Sequence, residues 1–143
     1  MKTLGILLLS ASILTAQEAA PDSREHATAR SKVLEIASAF ANDGFKIRDG
    51  YWSGVLEPGK PQLLEVNLFA GNAYWFSAAA PAPAGKLSVA IFDENGCPVE
   101  GQVYQDGSAA AAGVRPDASG LYFVRLELAE GAKADFCLVY SYK

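Results

Sequence analysis

The spacing of apolar and polar positions divides the chain into three unlike stretches. Leu4 to Leu14 is an apolar run interrupted only by small residues, with Lys2 ahead of it and Thr15-Ala16 behind it. A positive start, a short hydrophobic middle and a small-residue cut predict a secretory signal over residues 1–16. The run is shorter than the roughly 20 apolar residues that a spanning helix needs, and Gln17, Glu18 and Asp22 follow it. The expected compartment is therefore periplasmic or extracellular, with no membrane span after signal removal.

Residues 17–43 form a polar leader and then a helical pattern. Asp22 with Glu25 three residues on has the form of a capping box. Ala29, Val33, Ile36, Ala37 and Phe40 recur at helical spacing and make one apolar stripe. Asn42-Asp43-Gly44 supplies the stop, since glycine takes the left-handed conformation that ends helices. This N-terminal amphipathic helix has to bury its stripe, and the only surface available to it is the domain that follows.

From residue 44 to 143 the period changes to two. A first strand runs from Phe45 to Leu56 with a break at Asp49-Gly50, and Pro58-Gly59 is a turn signature. Leu64, Val66 and Leu68 alternate with Glu65 and Asn67. Tyr74, Phe76 and Ala78 share a face, opposite Trp75 and Ser77. Residues 80–85 are a Pro-Ala loop that cannot join a ladder. Leu87, Val89 and Ile91 form another inward row, and Asp93-Glu94-Asn95-Gly96 is a hairpin signal into a short strand from Cys97 to Tyr104. Asp106 to Gly113 is Ala-rich without a period, and Ala112 to Arg115 suggests a brief strand. Tyr122, Val124, Leu126 and Leu128 face inward, as do Phe136, Leu138, Tyr140 and Tyr142, with Cys137, Val139 and Ser141 on the opposite face. Seven or eight short strands with turns between them are the mark of an all-β antiparallel sandwich or small barrel.

Charge and chemistry narrow the function classes. The full chain has 12 Lys plus Arg against 16 Asp plus Glu, and removing residues 1–16 takes Lys2 alone, leaving a net charge of about −5. Lys46, Arg48, Lys60, Arg115 and Arg125 are scattered singly, so nucleic acid is not an expected partner. The one histidine, His26, sits on the helix among Arg24, Glu25 and Arg30, far from a triad arrangement. One His and two distant Cys do not make a zinc set. Asp49, Glu57 and Glu65 are available carboxylates with nothing to tune one against another. No enzyme activity and no cofactor are expected.

Cys97 and Cys137, an even count in an exported chain, are expected to form one disulfide. Closing a loop of about forty residues would contribute roughly 4 kcal/mol in the chain-entropy view. Asp93 and Asn95 concentrate oxygens and form a weak calcium candidate, although the same residues are what a plain turn uses. Tyr51, Trp52, Tyr74, Trp75 and Tyr104 offer flat faces on which a sugar could stack. Strict alternation sends one of each adjacent pair away from the core, where the helix stripe would cover it.

From about Tyr51 to Tyr142 the order of signals resembles the bacterial pre-peptidase C-terminal domain and related jelly-roll sandwiches. The matching pieces are Gly54-Val55-Leu56, Leu68 to Phe76, Leu87 to Gly96 and Pro116 to Val124. The resemblance implies a jelly-roll-like sandwich and a non-catalytic module of exported proteins. In that family such modules accompany secreted enzymes, some bind extracellular polymers such as collagen, and some bind calcium. Here a helix stands where an enzyme would, which implies a stand-alone role. The expected function is a binding module recognising a protein or polysaccharide outside the cytoplasm. The alternatives are a structural envelope-associated protein with no small-molecule ligand, and carbohydrate binding through exposed Tyr and Trp. An aromatic patch left bare by the helix would favour binding, and full coverage the structural role.

Overall fold

The computed structural model describes residues 22–48, 50–81 and 85–143. The signal expected over residues 1–16, the leader before the helix and the middle of the Pro-Ala loop lie outside the described residues. So does Asp49, one of the available carboxylates.

Helix α1 spans Asp22–Ala41. It closes as its sequence predicts: the amide of Asp43 donates to the carbonyl of Phe40 at 3.0 Å, and Gly44 takes a φ of +87°. Nine strands follow among the described residues: β1 Lys46–Ile47, β2 Trp52–Leu56, β3 Gln62–Leu68, β4 Tyr74–Ala79, β5 Leu87–Asp93, β6 Gln102–Asp106, β7 Ala109–Val114, β8 Gly120–Leu128 and β9 Ala134–Tyr142. One sheet has the order β1-β9-β4-β7-β6, with β2 also on β9, and the other has the order β3-β8-β5. Every pairing is antiparallel. The described residues form an all-β sandwich carrying one helix.

The count exceeds seven or eight because β1 and β2 share one edge of β9. Between them Gly50 takes a φ of +95°, beside the break expected at that point.

Alternation decides what each face meets. Tyr74, Phe76, Ala78, Val89, Ile91, Val124, Leu126, Phe136 and Leu138 interlock between the sheets as the main core. The opposite face of the larger sheet carries Ala79, Cys137 and Val139, and these pack against Ala29, Val33 and Ala37 of α1, with Ile36 beside them. The helix stripe therefore lands on the outside of the sheet, as expected. Residues 134–141 of β9 are buried on both faces as a result. Tyr142, expected inward, sits at the strand end and is exposed.

The Ala-rich stretch without a period proves to be β7, an interior strand between β4 and β6. Its residues are buried on both faces, so no polar position marks the alternation. Small side chains are required: a Cβ on Gly113 would stand 2.8 Å from the Trp75 ring. The strand expected from Cys97 is also relocated. Asp93 N donates to Cys97 O and Val99 N to Ile91 O, both at 2.9 Å, so the turn forms as predicted. The ladder then lapses, and regular pairing resumes only at Gln102, in the other sheet. No helix of the described residues is long and apolar enough to cross a membrane.

Candidate functional site

The five aromatic residues that were candidates for a ligand-stacking surface are dispersed. Trp52 turns inward and stacks on Tyr140 with ring centroids 5.6 Å apart. Tyr74 is buried, and its hydroxyl oxygen accepts from the Phe69 amide at 2.9 Å and Asn72 Nδ2 at 3.2 Å. Trp75 faces outward but lies flat against Phe40 of α1, at 4.3 Å and an interplanar angle of 12°. That is the helix cover the alternation called for. Tyr51 is 44% exposed under the Arg30 guanidinium, whose Cζ stands 4.7 Å above the ring. Tyr104, 45% exposed, is on edge strand β6, with its hydroxyl 3.5 Å from Asp106 Oδ2. No flat surface unites them.

Asp93 is occupied by its own turn: Oδ1 accepts from the amides of Asn95 and Cys97, both at 2.9 Å. This is an Asx-type turn. Among the described residues no group of three or more His, Cys, Asp or Glu gathers where a metal could sit.

The expected disulfide does not form. Cys97 is an exposed free thiol in the turn after β5, and Cys137 is a buried free thiol beneath α1. Cys97 lies outside the strands, whereas Cys137 is in β9 on the face that α1 covers. Burial pushes the Cys137 thiol from an ordinary 9.0 up to about 11, against a smaller opposing pull from Arg30. A raised thiol pKa favours the neutral folded form, so its contribution to stability is complete below pH 9 and lost as the pH rises through about 11. A thiol reagent at neutral pH is expected to label Cys97 within seconds to minutes and to reach Cys137 only on unfolding. Two equally reactive thiols, or none before reduction, would contradict this arrangement.

A different surface has the form of a recognition groove. Among the described residues, no helix lies on the outer face of the smaller sheet. In β8, Tyr122, Val124 and Leu126 point into the core, so Phe123 and Arg125 point away from it. Phe92 of β5 lies directly opposite Phe123, and Arg125 stands between Leu63 and Ala90 in register. Leu63, Phe92, Phe123 and Arg125, together with Pro61, Glu94, Asn95 and Gly96, line a groove of about 570 Å³. Leu63 is 60% exposed, and Arg125 pairs with Glu127 at 3.1 Å along one side. Apolar walls with a few polar groups at the rim are the usual make-up of a binding surface. Only Asn95 of this set was among the sequence candidates. The alternation shows that Leu63, Phe92 and Phe123 face outward, and the signal was that three large apolar residues occupy outward positions of neighbouring strands.

No protein-family model matches the chain, and no curated protein is significantly similar to it in sequence.

Proposed function

We propose that this chain is an exported, non-catalytic binding module of jelly-roll-like form, similar to the pre-peptidase C-terminal domains, which takes up a protein or polymer on the open face of its smaller sheet. The observation that supports this reading most is the Leu63–Phe92–Phe123 groove, where two phenylalanines lie side by side on a sheet face that α1 leaves bare. Contiguous apolar surface rimmed by charge is characteristic of interaction sites. The hydrophobic stretch before residue 16 supports action outside the cytoplasm. The second reading, a structural envelope-associated protein, is favoured by the stacking of Phe40 on Trp75, which covers one face of the outer aromatic.

A Phe123→Trp variant places a reporter in the groove, while Trp52 and Trp75 stay packed. Titration with gelatin and with a panel of cell-surface polysaccharides is expected to shift its emission to the blue for one of them. Adding Leu63→Asp is expected to weaken that response about tenfold or more, the loss of a well-packed contact. An emission that no member of the panel moves would leave the structural reading in place.

A further inference from the structure

On the other side of the molecule, the first half of α1 and edge strand β2 enclose a cleft of about 700 Å³. Asp135 of β9 lines it. Its register partner is Val55, and it shares the sheet face of Cys137, so its side chain leaves the sheet toward the helix. The residue is only 6% exposed, and Oδ2 has no hydrogen-bond partner among the described residues. Two other titratable groups, Arg30 and His26, border the cleft from α1. Arg30 is seated on the Tyr51 ring and makes no ion pair with Asp135. Leu34 and Val55, both large and partly exposed, supply apolar wall.

A buried carboxylate without a counter-charge is destabilising, and a partner that brings one relieves the cost. An apolar-walled cleft with an unpaired acid inside it matches a group whose stem is methylene and whose tip is cationic. We propose that this cleft binds an alkylammonium group, with Asp135 pairing the cation and Leu34 and Val55 lying along its methylenes. A lysine side chain of a protein partner and a free alkylamine share that chemistry. The site is separate from the open-sheet groove and does not depend on it.

Calorimetric titration of the purified chain with n-pentylamine is expected to show saturable binding, and with N-pentylacetamide, which has no charge, none. Asp135→Asn keeps the shape of the side chain and is expected to weaken amine binding at least about tenfold, with circular dichroism confirming the fold. Arg30→Gln removes a like charge from the cleft and is expected to strengthen amine binding. Absence of saturable binding, or equal binding by Asp135→Asn, would overturn the proposal. Weakening by Arg30→Gln would overturn it too, in favour of a neutral hydroxylated ligand held between acid and guanidinium. Tighter binding of acetyl-Ala-Lys-Ala-amide than of pentylamine would support it and assign the occupant to a protein lysine. Equal affinities would support it and assign a free amine.

Discussion

Replacing Phe76 by alanine is expected to lower the unfolding free energy by about 3–5 kcal/mol, the range for truncating a fully buried aromatic. Phe76 is the widest fully buried side chain of β4, and its ring lies 5.2 Å from that of Tyr140 and 6.4 Å from that of Tyr74. Tyr140 in turn carries Trp52, so the loss removes the middle of a chain of packed rings. The backbone on either side is pinned by β7 and β9, which restricts collapse into the cavity and places the cost toward the upper end. Domains of this size have about 5–15 kcal/mol in total, and each kcal/mol moves the melting point by roughly 4–8 °C. Urea unfolding measures the change directly. A loss below about 1 kcal/mol would mean that the two sheets do not share a continuous core at this strand.

Val33→Asp is expected to act differently, by releasing the helix. Val33 is fully buried against Ala79, Cys137 and Val139. An ionised carboxylate there costs several kcal/mol without a partner, more than α1 gains by docking. Burial of Val33, Ile36 and the covered face of Phe40 is worth about 1.5–3 kcal/mol for each fully buried side chain. The loss is therefore capped near the docking energy, about 3–5 kcal/mol, and the sandwich survives. Three signals should move together. Trp75 emission should shift to the red as Phe40 leaves it, Cys137 should become reactive to thiol reagents, and helical dichroism should fall while the strand signal stays. A protected Cys137 in this variant would show that something other than α1 covers it.

The parts of the fold that were legible in the sequence are those where two environments meet along one element. The stripe of Ala29, Val33, Ala37 and Phe40 and the alternation in β3, β5 and β8 each contrast a buried side with a wet one. The pattern fails where both sides are alike. In β7 both faces are buried and tightly approached, and five small residues in six, Ala109 to Gly113, carry no contrast. The cysteine pair misled for another reason: an even count speaks to compartment, whereas bridging depends on which faces the two Cβ atoms leave. Cys137 points to the helix layer and Cys97 is exposed in the turn after β5.

The site was less legible because alternation tells which residues face outward without telling whether that face is covered. Trp75 and Phe123 both face outward. One carries Phe40 on its ring and the other lines the groove of the smaller sheet, and the landing place of α1 separates them. Asp135 had a visible signal, a lone acid with the parity of Cys137 and Val139 in a largely apolar strand. Its meaning depended on finding the helix above it.

The position of β9 has a consequence for biogenesis. The first element of the described chain rests on the last: α1 lies over β9, which also joins β2 to β4. A chain emerging N-terminus first therefore holds an amphipathic helix with no floor and a sheet with β9 missing until every other described strand has appeared. Folding of this kind is dominated by contacts distant in sequence, which is slow and leaves apolar surface open meanwhile. Such a delay makes the arrival of β9 the step at which the described sandwich closes.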